Sequence, residues 1–198
     1  MRKIILASKS KRRSLILKSC GIPHIVFPSK TREIRGGAGR PSSLVILNAK
    51  RKAEAVAKKA KMAIIIGVDT LVLFEGRMVG KPLTKGMAKK MLEAFSGKKM
   101  AVYSGVHIID LAGRRKKSGF EKTVLSVKKI PRDDIERYFR HLGPCDKAGG
   151  FSIEGAGSMI FDDIKGSYFN VLGLPMRKLQ DMFRAIGLDL LDFISGRY

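Results

Sequence analysis

The chain has 198 residues, 44% of them hydrophobic, enough to bury a substantial core in one α/β domain and to exclude wholesale disorder. Its two cysteines, Cys20 and Cys145, are too few for a disulfide framework and lack metal-ligand spacing, which points to a reduced, cytoplasmic setting. Forty Lys and Arg against seventeen Asp and Glu give a net charge of +23, a field that draws polyanions or marks a lysine-rich solvated surface, and that alone names no function.

Lys3 to Ala7 reads as a short buried strand. Arg2 and Lys3 before it imitate a signal peptide, but the apolar run Ile4 to Ala7 falls short of the roughly 7–15 residues of a signal core. No stretch approaches the roughly 20 apolar residues of a membrane span, so a soluble, unexported chain without membrane partners is expected. Ser10 can cap a helix carrying Leu15, Ile16 and Cys20 that Gly21 ends, and His24 to Phe27 reads as a second strand. Residues 29–41 form a basic, glycine-rich loop. A helix follows from Ser42 to Ala60, with Leu44, Leu47 and Val56 on its apolar face and lysines elsewhere.

The run Ala63 to Val68 is typical of a strand covered on both faces, and it is expected to end at Asp69-Thr70. Leu71 to Phe74 and Arg77 to Val79 flank Glu75-Gly76 as a tight hairpin, and Thr84 precedes a helix to Phe95. Met100 to Leu111 and Gly119 to Lys128 read as a long antiparallel pair joined by the basic turn Gly113 to Lys117, part of a second lobe. A helix from Asp133 to Leu142 stops at Gly143-Pro144. Residues 149–173 are glycine-rich with short strands, and Pro175 opens an amphipathic helix with Leu179, Met182, Phe183 and Ile186. The fold class expected is α/β, a mixed twisted sheet flanked by helices, in one domain spanning 1–198.

Ser8-Lys9-Ser10-Lys11-Arg12-Arg13 follows a strand and opens a helix, where free amides, hydroxyls and guanidinium groups favour an anion. The P-loop pattern is absent, and the same residues are consistent with a plain capped helix. Basic residues in a first turn oppose the helix dipole, which an anion bound there would relieve. Asp69 closes the most apolar strand, where it can hold a divalent cation, take a proton from water or cap a turn. Glu33, between Arg32 and Arg35, reads as an exposed ion pair, or as a second ligand for Mg²⁺ beside Asp69. Gly80-Lys81-Pro82 sets Lys81 in a turn. His24, His107 and His141 show no metal or triad spacing, so water activated by a metal or base is favoured over a covalent intermediate.

Taken together, several segments resemble the Maf family of nucleoside triphosphate pyrophosphatases. They are Leu6-Ala7-Ser8 with Ser10, Arg12 and Arg13, then Glu33, Lys52-Ala53, Gly67-Val68-Asp69-Thr70, Gly80-Lys81-Pro82, Ser96-Gly97, Asp146-Lys147-Ala148-Gly149 and Gly166 to Pro175. Each is weak alone, but they occur in the family's order and spacing along nearly the whole chain. The resemblance implies two lobes around a nucleotide-binding cleft, a Mg²⁺ or Mn²⁺ requirement and a homodimer. It implies that Asp69 accepts the proton of the attacking water, that Ser8, Ser10, Arg13, Lys52 and Lys81 grip the triphosphate, and that Glu33 and Asp69 hold the metal.

Lys11 stands where the family usually has Pro, and Glu154 where the branch acting on dTTP and UTP has Gln. Arg12 and Thr70 match that branch, as does Lys147, whereas Glu154 matches the branch acting on 7-methyl-GTP. Pyrimidine triphosphates are therefore the expected substrate, with 7-methyl-GTP the alternative. A reading of another class is a basic nucleic-acid-binding protein, for which Lys50-Arg51-Lys52 and Arg114 to Lys117 speak. Those clusters lack interleaved aromatics and any known nucleic-acid signature, so at most weak, non-specific binding is expected.

Overall fold

The computed structural model describes residues 2–36, 40–141, 149–150 and 152–195. In chain order the strands are β1 (Lys3–Leu6), β2 (His24–Val26), β3 (Ala63–Phe74), β4 (Arg77–Val79), β5 (Lys99–Asp110), β6 (Arg115–Val127) and β7 (Phe161–Lys165). The helices are α1 (Lys11–Ser19), α2 (Pro41–Ala57), α3 (Lys85–Phe95), α4 (Ile135–His141), α5 (Tyr168–Leu172) and α6 (Met176–Arg184). The strands form an open mixed sheet of order β2-β1-β3-β5-β6-β7, with β4 beside β3. β1 runs parallel to both β2 and β3, while β4 and β7 lie antiparallel to β3 and β6. The α/β class with a mixed sheet flanked by helices is as expected from the sequence.

β3 corrects one expectation. The strand does not end at Asp69-Thr70 but continues to Phe74, because Leu71 to Phe74 is apolar and Val72 to Phe74 pair with β4. The turn after it, Glu75-Gly76, has φ of 47° and 76°, the double left-handed geometry that suits the twist of a two-residue hairpin.

The chain divides into two compact units, and β3, β5 and β6 contribute residues to both. The first comprises residues 1–70, 104–121 and 172–198. Its core gathers Ala7, Ala53, Val56, Ile65 and Ile109. Here α2 comes close against β3 and β5. A Cβ added at Gly67 would overlap the Ala49 carbonyl and come within 2.8 Å of Ala53 Cβ, and one at Gly105 would overlap the Val45 backbone. The buried face of α2 is Val45, Asn48, Ala49, Lys52, Ala53 and Val56, at the spacing of one helical stripe. Leu47, expected on that face, is instead exposed, and Lys52, expected on the outer face, is inside.

The second unit comprises residues 71–103 and 122–171. Leu92, Ile130, Ile135 and Ile160 form its core, with Tyr138, Phe139 and Phe161 packed on them. Thr84 caps α3 by accepting the Met87 amide at 3.1 Å. Asn170 donates to the Val102 carbonyl and the Thr123 hydroxyl at 3.1 and 2.9 Å. The basic stretch assigned to a turn differs in part: Arg115 to Lys117 belong to β6, and the hairpin tip belongs to the first unit. The expected stop at Gly143-Pro144 lies outside the described residues. Among those residues no helix is long and apolar enough to cross a membrane.

Candidate active site

The start of α1 forms the first part of the site. Ser10 caps the helix, its hydroxyl accepting the Arg13 amide at 3.4 Å, and the Ser8 hydroxyl accepts the Ser10 amide at 3.2 Å. The first turn, Lys11, Arg12 and Arg13, contains no acid to complement the helix dipole. Arg13 turns inward. Its Nε donates to the Gly173 carbonyl at 2.8 Å, Nη1 to the Ser8 hydroxyl at 2.9 Å and the Val68 carbonyl at 3.2 Å, and Nη2 to the Thr70 hydroxyl at 2.9 Å. Four of the five N–H donors of a guanidinium are thus used within the protein, so Arg13 stiffens the anion site as much as it lines it. Burial pulls its pKa below the ordinary value, against the opposing pull of Asp69 and Glu33.

The second part is built on α2 and β3. Asp69 is buried, and its two oxygens have different partners: Oδ1 accepts from Lys52 Nζ at 2.6 Å and Oδ2 from Asn48 Nδ2 at 2.9 Å. The same Lys52 ammonium donates to Glu33 Oε1 at 2.7 Å and lies 3.3 Å from the Val68 carbonyl. That carbonyl also accepts from Arg13, so it joins the two parts through one backbone atom. Partial burial would raise the Glu33 carboxyl, but the bond and charge of Lys52 and the charge of Arg35 outweigh it and hold the group below the ordinary carboxylate range.

Two carboxylates meeting at one ammonium are a donor set that suits a hard cation, because oxygen ligands and negative charge already converge there. Among the described residues no three His, Cys, Asp or Glu gather as a metal cage. Glu33 and Asp69 fit an ion that takes its other ligands from phosphate and water, as Mg²⁺ does.

The first unit therefore brings together Ser8, Ser10, Arg13, Glu33, Lys52, Asp69 and Thr70, with Arg12 half-buried in the same helical turn. Lys81 and Glu154 belong to the second unit. Lys81 is exposed between β4 and α3, and Glu154 is exposed with Oε2 accepting from the Ser152 hydroxyl at 3.1 Å. Lys147 lies outside the described residues. Two buried residues escaped the sequence reading. Asn48 binds Asp69, and the Ser104 hydroxyl lies 2.9 Å from that of Thr70. Asn48 stands four residues before Lys52 on the face of α2 that carries Ala49, Ala53 and Val56, and a polar residue on an apolar stripe is the signal that could have revealed it. Ser104 carries no such signal within its strand.

Residues 3–186 match the family described as Maf-like protein. The chain is 38% identical over 190 residues to a protein of Bacillus anthracis named dTTP/UTP pyrophosphatase, covering 96% of this chain and 98% of that one. It is 39% identical over 195 residues to a protein of the same name from Caldicellulosiruptor saccharolyticus, with the same coverage. Among solved structures it is similar to a HAM1 protein from Coxiella burnetii at 15% identity and a TM-score of 0.47, over 76% of this chain and 79% of the other.

Proposed function

This chain belongs to the Maf-like protein family, and from that premise we propose that it is a pyrophosphatase that converts a nucleoside triphosphate to the monophosphate and pyrophosphate. The observation that carries the proposal is the meeting of Glu33 and Asp69 at the Lys52 ammonium, joined through the Val68 carbonyl to the capped, acid-free start of α1. Asp69 accepts the proton of the water that attacks the α-phosphorus. Each of its oxygens has one nitrogen donor, which leaves a lone pair on each for that role. Ser8, Ser10 and Lys52, with Arg13 behind them, offer positive charge and hydroxyl or amide donors to the phosphates, and the family pattern assigns Lys81 to the same role. Catalysis at phosphorus depends mainly on such positioning and charge stabilisation. Glu33 and Asp69 would hold a Mg²⁺ or Mn²⁺ ion, which when bound supplies charge to neutralise the triphosphate. A homodimer in the cytoplasm is the accompanying expectation.

The substrate class follows the relatives, which are named for dTTP and UTP. Thr70 and Arg12 accord with it. Glu154 favours the second reading, 7-methyl-GTP, since an exposed carboxylate only accepts hydrogen bonds and suits the donor-rich edge of guanine, whereas Gln suits the mixed edge of uracil or thymine. A pyrophosphate-release screen of common and methylated triphosphates with Mg²⁺ or Mn²⁺ tests both. We expect monophosphate and pyrophosphate as products, loss of turnover with EDTA, and higher kcat/KM for dTTP or UTP than for 7-methyl-GTP. Release of orthophosphate and a diphosphate would place the attack at the γ-phosphorus and reject the proposal. Glu154→Gln should raise pyrimidine turnover if the carboxylate faces the base.

A further inference from the structure

We propose that Asn48 is a positioning residue of the hydrolytic centre, holding Asp69 and the segment that carries Glu33 in a single geometry. This rests on the reading of Asp69 as the proton acceptor. Asn48 is 3% exposed, and its amide is committed on every side. Oδ1 accepts the Ile34 N–H at 2.9 Å, while Nδ2 donates to the Ile34 carbonyl at 3.0 Å and to Asp69 Oδ2 at 2.9 Å. Both donors of the amide are thereby used, one on the segment and one on the carboxylate.

Residues 28–36 belong to no helix or strand, so no ladder sets the position of Glu33. That role falls to α2. Arg51 Nη1 donates to the Arg32 carbonyl at 3.1 Å, Lys52 binds the Glu33 carboxylate, and Asn48 pairs with both backbone groups of Ile34 as a neighbouring strand would. Asn48 and Lys52, one helical turn apart, also take opposite oxygens of Asp69, which stops the carboxylate from rotating. The two ties differ in permanence. The Lys52 ammonium carries a charge for which a triphosphate competes, whereas Asn48 is neutral and buried, so its hold on Oδ2 persists when phosphate draws Lys52 away. An amide needed only to satisfy Ile34 would have no cause to spend its second donor on a carboxylate.

The test uses the full chain with Asn48→Leu and Asn48→Asp, both close in volume to the native residue. Asn48→Asp keeps an acceptor for the Ile34 amide but loses both donors. We expect kcat to fall about 10–100-fold in each, the scale of a lost supporting hydrogen bond, with nucleotide KM changing less than about 3-fold because the phosphate contacts are untouched. In an Asp69→Asn background, Asn48→Leu should cost less than in the wild type, since the carboxylate it holds has gone and only its tie to the Ile34 segment remains to be lost. Hydrogen exchange at the Ile34 amide should quicken in Asn48→Leu and stay slow in Asn48→Asp. A folded variant of either kind with kcat within about 3-fold of wild type would overturn the proposal, as would a full multiplicative loss in the Asp69→Asn background. If Asn48→Leu does not fold, Asn48→Asp decides. Absence of turnover in the wild-type chain would reject the hydrolase reading instead, and unchanged Ile34 exchange in Asn48→Leu would then overturn the clamp by itself.

Discussion

Replacing Asp69 by Asn removes a base and one negative charge while keeping the volume of a buried side chain 6% exposed. The amide would also face Lys52 and Asn48, two groups that donate to the native carboxylate, so its orientation is constrained to present Oδ1 to one of them. We expect Asp69→Asn to lose about 10²–10⁴-fold in turnover, the usual scale for a general base, with the fold retained by circular dichroism. Near-normal pyrophosphate release from the folded variant would reject the assignment. His107 offers a separate reading by pH. It is buried in β5, its Nδ1 lies 2.7 Å from the Ser118 hydroxyl, and its Nε2 has no hydrogen-bond partner among the described residues. Burial lowers its pKa from the ordinary 6.5, with Lys50 and Lys116 adding to the shift and Glu54 opposing it. The unfolded chain then binds the proton more readily than the folded one. This residue's contribution to stability is complete above pH 6.5 and is lost as pH falls through the lowered value. Urea midpoints measured from pH 7 downward should therefore decline more steeply for wild type than for His107→Gln.

At the scale of elements, the site depends on how closely α2 lies against β3 and β5. Asn48 has a short side chain, and it reaches Asp69 only because Gly67 and Gly105 present no Cβ to the helix backbone. Gly67→Ala forces α2 away from the Ala49 and Ala53 contacts. Overpacking of this kind costs about 1–3 kcal/mol, and a shift of about 1 Å at a catalytic group can cost 10²-fold in rate. We expect Gly67→Ala to lower both the urea midpoint and kcat, measured on the same preparation. A variant with a reduced midpoint and wild-type kcat would show that the helix can retreat without disturbing Asn48 and Lys52. The mid-strand place of Asp69 serves the same end, because a residue with extended strand both before and after it, from Ala63 to Phe74, is held more firmly than one at a strand terminus.

For the whole molecule, the charge of +23 invites nucleic acid as a partner, but the folded chain disperses its linear clusters. Lys50 pairs with Glu54 at 3.8 Å, Arg51 donates to the Arg32 carbonyl and Lys52 is buried against Glu33 and Asp69. In the second cluster Arg115 turns to Asp110 at 3.7 Å. The three adjacent cations Lys50, Arg51 and Lys52 thus each serve different partners within the protein. We expect only weak binding to single- or double-stranded nucleic acid, independent of sequence and collapsing between low and physiological salt in a fluorescence titration. A complex that survives high salt and prefers one sequence would promote nucleic-acid binding to a primary function.

By itself the sequence determined the order and type of nearly every element, because hydrophobic period, caps and turn residues act locally: Ser10 and Thr84 cap helices, Glu75-Gly76 turns a hairpin and Ala63 to Val68 is buried on both faces. It also carried the family pattern that singled out Asp69, Glu33 and Lys52. Tertiary structure decided what long-range pairing and packing control. Strand β3 passes through Asp69 because β4 extends its ladder, and Leu47 faces outward because the glycines of β3 and β5 admit the Val45–Ala49–Ala53 side of α2. The meeting of Glu33 with Asp69, 36 positions apart, needed Lys52 and Asn48 held between them on one helix. A local pattern cannot specify such a meeting, since it depends on which side of α2 is pressed against the sheet.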